Sequence, residues 1–281
     1  MIFFSDMDGT FLTSTKQVSD MGWQALDALA AAGIEFVPCT GRPLSGIPAE
    51  VLAHPSVHYA VSANGAVAAK LDAKNPQNTD LATVIYSAPL SREKALAVHQ
   101  IAREYDVTFD LFADGNCLLR RDLYNRLDEF MGDPFILQSM RNTRTPVDEE
   151  PEQTIQRVDV LERVAMYWKD PADRDAILAR LRSVDGIEIT RSYPQNIEVM
   201  EAGTSKGTAM TWLCGHLGID PSKATCFGDN HNDISMLELA GRGGLQRRAR
   251  GPRRCRRHLG QQRRGRRSRL HTLLRGIAGT S

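Results

Sequence analysis

Short apolar runs alternate with helical stretches at both ends of this chain, and a different texture separates the two. Ile2 to Ser5 is an apolar run that ends at an acidic turn. Ser19 is placed to cap a helix carrying Trp23, Leu26 and Leu29, and Gly33 stands where such a helix stops. Ile34 to Cys39 reads as the next strand, Leu44 to Ala53 as a short helix and His58 to Ser62 as a third strand. The alternation resumes with a helix from Ser205 to Leu217, a strand from Ala224 to Phe227 and a helix from Asn232 to Ala240. Strands separated by helices need crossover connections, so this pattern predicts a parallel sheet.

Between these ends the chain carries a second set of elements. Val84 to Tyr86, Val107 to Phe112 and Cys117 to Arg120 read as strands, with Ala113-Asp114-Gly115-Asn116 as a hairpin turn. Ser91 to Tyr105 and Pro171 to Val184 read as helices, and Val164 to Trp168, Ile187 to Thr190 and Asn196 to Met200 as further strands. Polar Arg141 to Glu152 reads as a surface loop. The expected fold is α/β: residues 1–83 and 201–281 form one parallel-sheet core, Rossmann-like, and 84–200 are an inserted α/β domain.

Composition narrows the class. Hydrophobic residues make up 42% of the 281 and charged ones 25%, as in an ordinary globular protein. No run of about 18 apolar residues appears, and the apolar start is too short for a signal peptide, so a cytoplasmic protein without membrane contact is expected. The five cysteines are scattered and form no metal-type pair, so reduced thiols are expected. The net charge of +1 conceals a split: residues 242–281 hold 14 arginines and no lysine or acid, leaving 21 basic and 34 acidic residues, net −13, in residues 1–241.

Four clusters fall at the carboxyl ends of expected strands, where open parallel sheets bind ligands. They are Asp6-Met7-Asp8-Gly9-Thr10, Thr40-Gly41-Arg42, Lys206, and Gly228-Asp229-Asn230-His231-Asn232-Asp233. Any one of them alone is an ordinary turn, helix entry or surface residue. In this order and at strand ends they gain structural context. With their flanks, Phe4-Ser5-Asp6-Met7-Asp8-Gly9-Thr10-Phe11-Leu12, Cys39-Thr40-Gly41-Arg42-Pro43, Ser62-Ala63-Asn64-Gly65-Ala66 and Phe227-Gly228-Asp229, they resemble the haloacid dehalogenase (HAD) superfamily, in its Cof-type sugar-phosphatase branch. The resemblance spans about residues 1–243 and implies a core sheet with a large α/β cap.

It also implies a Mg²⁺-dependent phosphatase acting on a small phosphate ester, with sugar phosphates the leading class. Asp6 would be nucleophile and metal ligand, Asp8 would hold the metal through its backbone carbonyl and act as general acid and base, and Asp229 would be the second carboxylate ligand. Thr40 and the Gly41 amide would bind phosphate, Lys206 would face Asp6 and the phosphoryl group, and Asn232 would reach the phosphate. Asp233 would orient metal waters, and Asn64 either supports the site or makes a plain Asn-Gly turn. Arg42 either pairs with a carboxylate or points into the cap cleft. His231 lies inside the fourth motif, where histidine is not required, and no second histidine is placed for a His-based metal site; Cys39 and Cys226 end apolar strands without a base partner, so buried packing is expected for them. The segments Asp114-Gly115-Asn116 and Tyr193-Pro194-Gln195-Asn196 are placed to face the leaving group. A phosphosugar mutase of the same fold is the alternative.

The arginine-rich tail invites a nucleic-acid-binding reading, by a protein whose catalytic site is idle. Yet residues 242–281 contain no lysine and no aromatic residue, and the expected last strand and helix of the core are missing. Back-translating Gly244 to Ser268 with G/C-rich codons and reading one nucleotide later permits Asn-Ala-x-Pro-Glu-Val, then Ala-Asp, then Asn-Asp-Glu-Asp-Gly-Val. That is similar to the family's usual ending. The expectation is two compensating frame changes that make about 244–269 aberrant, with the normal frame returning near His271 and nucleic acid not a partner.

Overall fold

The computed structural model describes residues 1–240 and 245–246. Five strands precede residue 90: β1 (Ile2–Ser5), β2 (Glu35–Pro38), β3 (Tyr59–Ser62), β4 (Val67–Lys70) and β5 (Thr83–Ser87). Six follow: β6 (Asp110–Ala113), β7 (Asn116–Arg120), β8 (Thr145–Val147), β9 (Leu161–Tyr167), β10 (Ile187–Thr190) and β11 (Asn196–Glu201). Then come β12 (Ala224–Gly228) and β13 (Leu245–Gln246).

The two ends of the chain build one parallel sheet, in the order β13-β12-β1-β2. All four residues of β1 are buried, as expected for a strand covered on both faces. Phe3 and Phe36 pack on one face against Leu26 and Leu29 of the helix Asp20–Ala31. Ile2, Phe4, Val37 and Cys226 pack on the other against Met210 and Leu213 of the helix Lys206–His216. Ser19 caps the first helix by accepting from the Gly22 amide at 3.2 Å. This sandwich brings the carboxyl ends of β1, β2 and β12 to one edge, and the motifs begin there.

Beside β2, β3 is joined by a parallel bridge between Cys39 and Val61 and continues antiparallel into β4 and β5. The division expected at residue 84 falls inside β5, which pairs with β4. Residues 110–201 form a second sheet, in the order β10-β11-β9-β6-β7-β8. One face packs Val164, Met166 and Val199 against Ala95, Val98, Ile177 and Leu181 of two helices. The opposite face carries Phe112, Ala165 and Tyr167 and packs on Leu127, Phe130 and Met140.

The structure differs from the sequence reading in several elements. The helix expected over Leu44 to Ala53 is broken into a 3₁₀ turn, Leu44–Gly46, and a four-residue helix, Ala49–Leu52. Pro48 stands between them; it biases Ile47 to an extended conformation and supplies no amide. The loop expected over Arg141 to Glu152 contains β8, which pairs parallel with β7. A neighbouring strand edge supplies that pairing, and the local pattern of polar residues does not announce it. Leu245 and Gln246 pair with Phe227 and Gly228. The rest of the arginine-rich segment and the expected closing helix at His271 lie outside the described residues. No helix among the described residues is long and apolar enough to cross a membrane.

Candidate active site

Asp6 follows β1 directly, and its amide donates to the Phe227 carbonyl of β12 at 2.9 Å. Lys206, the first residue of its helix and wholly buried, donates from Nζ to Asp6 Oδ1 and Asp233 Oδ1, both at 2.7 Å. The other Asp233 oxygen accepts from the amides of Asp229 and Asn230 at 2.8 and 2.9 Å. Asp233 thereby shapes the loop that carries Asp229, a task the sequence reading did not assign to it. Thr10 Oγ1 donates to Asp229 Oδ1 at 3.1 Å. Gly9 has φ +87°, and a Cβ there would lie 2.8 Å from an Asp229 carboxylate oxygen. Both the backbone conformation and the space demand glycine.

Burial pushes the Asp6 carboxyl up to about 7, with Asp233 and Asp8 adding to the rise and Lys206 pulling against it. Burial also opposes the Lys206 charge, but Asp233 and Asp6 beside it raise its pKa overall. Asp6, Asp229 and Asp233 each offer a carboxylate oxygen, and these oxygens lie within 4.8 Å of one another. Three hard oxygen donors gathered around a lysine suit a divalent cation such as Mg²⁺. Of the expected ligand set, the carboxylates of Asp6 and Asp229 are brought together, and Asp233 joins them.

The Asp8 side chain is turned to a different group. Arg42 holds it with two bonds, Nε to Oδ2 at 2.7 Å and Nη2 to Oδ1 at 2.9 Å, and Lys16 Nζ reaches Oδ1 at 2.7 Å. Burial alone would raise Asp8, but these two cations outweigh it and hold the carboxyl well below the usual range. Arg42 also donates to the Gly46 carbonyl at 2.8 Å, so it both pairs with a carboxylate and lines the cleft. Lys16 was not singled out in the sequence; a lysine eight residues beyond Asp8 has no motif, and the turn that returns it is visible only in three dimensions.

Thr40 is buried, and its hydroxyl accepts from the Arg42 amide at 3.1 Å. A Cβ on Gly41 would lie 2.8 Å from Asn64 Oδ1. Asn64 sits in the left-handed region at φ 59° and stands between two partners. Its Oδ1 accepts from Asn232 Nδ2 at 2.9 Å, and its Nδ2 donates to Glu198 Oε2 at 2.8 Å. Asn64 is therefore a bridging side chain rather than a plain turn residue.

The cleft above these residues has about 620 Å³ of open space. Its walls include Asp6, Asp8 and Thr40 from the first sheet, and Phe112, Arg144 and Tyr193 from the second. Of the two segments expected to face it, Tyr193 does so. The hairpin tip instead contacts the neighbouring loop, where the Gly115 carbonyl accepts from the Ser45 amide at 3.0 Å. His231 Nε2 lies 3.0 Å from Arg191 Nη2, on the surface. Cys39 and Cys226 are buried; burial raises both thiols, Cys226 to about 12. The cleft's contributions from Arg163, Glu198 and Arg144 went unread in the sequence, because the inserted region has no motif and strand partners far apart in sequence bring these residues together.

Comparison with known proteins agrees with this architecture. The haloacid dehalogenase-like hydrolase family model matches residues 3–245. YxeH of Bacillus subtilis is 28% identical over 245 residues, covering 85% of this chain and 84% of its own length. Pyridoxal phosphate phosphatase YbhA of Escherichia coli is 26% identical over 238 residues, covering 85% and 84%. Among solved structures, a haloacid dehalogenase-like hydrolase from B. subtilis superposes with TM-score 0.70 at 23% identity, covering 87% of this chain and 88% of that one. The HAD subclass IIB sugar phosphatase BT4131 superposes with TM-score 0.68 at 21% identity, covering 87% and 86%. With the family model spanning most of its length and its two sheets matching these folds, the chain belongs to the haloacid dehalogenase-like hydrolases.

Proposed function

We propose that this chain is a Mg²⁺-dependent phosphatase of small phosphorylated metabolites, with sugar phosphates the leading class, and that 88–201 act as its cap. The observation that carries the reading is the pairing of Asp6 with buried Lys206 inside the Asp6, Asp229 and Asp233 group, while Asp8 is held apart from that group. The names of relatives such as pyridoxal phosphate phosphatase and sugar phosphatase support a phosphate ester as substrate.

Asp6, Asp229 and Asp233 would hold the cation, together with the Asp8 backbone carbonyl. Bound there, Mg²⁺ would offset the repulsion between the carboxylates and an anionic phosphoryl group. An Asp6 oxygen forms a bond to phosphorus as the ester P–O bond breaks, and the leaving oxygen takes a proton from Asp8. Water then attacks the phosphoryl-aspartate, gives its proton to Asp8, and releases inorganic phosphate and the Asp6 carboxylate. Lys206 lessens the cost of ionising the buried Asp6 carboxyl and faces the phosphoryl oxygens. The Thr40 hydroxyl and Gly41 amide receive those oxygens, with Asn232 beside them. In the state described, Arg42 and Lys16 hold Asp8 ionised, which suits it to the second step. For the first step Asp8 must carry a proton, so substrate entry has to loosen at least one of these cations.

A panel of sugar and other metabolite phosphates, assayed for phosphate release with Mg²⁺ and with a chelator, tests the reading. Metal-dependent release from at least one monoester, without any bisphosphate activator, is the expected result. Isomerisation without release, requiring a bisphosphate, identifies a mutase instead. Absence of both refutes the proposal.

A further inference from the structure

We propose that Arg163 and Glu198, a buried ion pair of the second sheet, are positioning residues that seat the phosphate-binding loop; this rests on the reading of Thr40 and Gly41 given above. Arg163 lies on β9 and Glu198 on the adjacent β11, where Glu198 stands opposite Ala165. Arg163 Nη1 is 3.2 Å from Glu198 Oε1, with side chains only 3% and 2% exposed. Each member of the pair holds one flank of the loop. Arg163 Nη2 donates to the Gly41 carbonyl at 2.5 Å, and Glu198 Oε2 accepts from Asn64 Nδ2 at 2.8 Å.

The two flanks are themselves tied together. The Asn64 amide donates to the Thr40 carbonyl at 3.0 Å, and the Ala63 amide to the Arg42 carbonyl at 2.9 Å. Ala63, Asn64 and Gly65 have φ of 49°, 59° and 95°, three successive left-handed residues of which two carry a Cβ. Such a run persists only where the surroundings determine it more than once. The Glu198 contact to the Asn64 side chain is one of those determinants, and the Asn232 contact on its other side is a second.

Stability does not account for the pair. Buried ion pairs are commonly no more stabilising than apolar residues of the same volume. This one also leaves Arg163 Nε and Nη1 buried without a hydrogen-bond partner, Nη1 meeting Glu198 by charge alone, with the guanidinium 3.5 Å above the Phe112 ring. What explains its placement is what it touches. The pair adds no net charge to the cleft; Glu198 Oε1 also accepts from Ser192 Oγ at 2.9 Å and Asn196 Nδ2 at 3.2 Å, and the remaining contacts reach the loop through the Gly41 carbonyl and the Asn64 side-chain amide. Thr40 and Gly41 therefore take their binding geometry only with the second sheet seated on them.

The test compares the full-length chain with the double variant Arg163→Met/Glu198→Leu, which removes both charges and strands neither. Inorganic phosphate is the probe, titrated calorimetrically with Mg²⁺ present, alongside kcat and KM for a monoester and the thermal midpoint. The expected result is a folded variant, its midpoint lowered by loss of the Ser192 and Asn196 bonds to Glu198, with phosphate affinity lowered about tenfold or more, the scale of a lost buried contact to a charged group. Arg163→Lys, which keeps a donor for Gly41, should recover part of that affinity. A folded double variant with parental phosphate affinity overturns the proposal. Should the double variant fail to fold, Asn64→Ala must show the same affinity loss, and parental affinity there overturns it equally. If the parent chain binds phosphate but hydrolyses no ester, the phosphatase reading falls while the affinity comparison still decides this one.

Discussion

At the scale of single residues, the site divides two neighbouring carboxylates by their surroundings. Asp6 is buried beside one lysine and two acids and sits high, near 7, whereas Asp8 is gripped by Arg42 and Lys16 and sits low. Replacing Asp8 with Asn should therefore cost about 10²–10⁴-fold in kcat for alkyl phosphates, whose leaving oxygens need a proton, and much less for an aryl phosphate. Equal losses on both ester types would remove Asp8 from the proton-transfer role. Gly9→Ala should lower activity and metal affinity together, because its φ of +87° costs about 1–2 kcal/mol for an L-residue and its Cβ meets Asp229 at 2.8 Å. Mg²⁺ titration of that variant checks it; unchanged affinity would contradict the packing argument. Asp6, Asp8, Thr40, Lys206 and Asp229 could be singled out in the sequence because their motifs, in order at strand ends, resemble those of a known family. Lys16, Arg163 and Glu198 could not, since each acquires its role through a contact that local pattern does not encode.

At the scale of elements, the strands of the first sheet announced themselves through short apolar runs, and the second sheet less so. β8 was hidden in a polar stretch because β7 supplies its partner, and the helix after Leu44 was overestimated because Pro48 divides it. The central strand β9 carries a further feature that its sequence conceals: Glu162 is buried beside an arginine that pairs elsewhere. One Glu162 oxygen accepts from the Gly115 amide at 2.7 Å and the other has no hydrogen-bond partner. Burial pushes its carboxyl up to about 7 from 4.5, with the Gly115 bond and Arg163 only partly offsetting the rise. Because the folded state binds the proton more tightly, stability contributed here is full below the unfolded value and is lost as pH rises from about 4.5 through 7. The loss is on the order of 3 kcal/mol by proton linkage. Glu162→Gln keeps an acceptor for the Gly115 amide and removes the titration. Denaturant unfolding at pH 5 and pH 8 should show the variant losing less stability over that interval than the parent. An identical pH dependence would place Glu162 in contact with water.

At the scale of the whole molecule, the chain joins a net −13 body, residues 1–241, to residues 242–281, which hold 14 arginines and no acid. The family match ends at residue 245, where β13 pairs the outer edge of β12 through only Phe227 and Gly228 among the described residues. A segment this rich in arginine is poorly suited to supply the burial that a closing strand and helix would need. A version whose codons between 240 and 272 are restored to the single alternative frame should melt higher by about 5 °C or more, given about 2–4 °C per kcal/mol in a domain of this size. A midpoint equal to or below the parent's would make the arginine-rich segment the native ending. Neither outcome moves the residues proposed for catalysis, which all precede the segment.

Asp6 is the group proposed to attack phosphorus, and the mechanism stands or falls with it. The direct measurement is phosphate release from a monoester by Asp6→Asn beside the parent chain, both with Mg²⁺ and both shown to be folded by their thermal midpoints. The asparagine variant is expected to fall to the rate seen without protein. Hydrolysis at the parental rate by folded Asp6→Asn would contradict the mechanism.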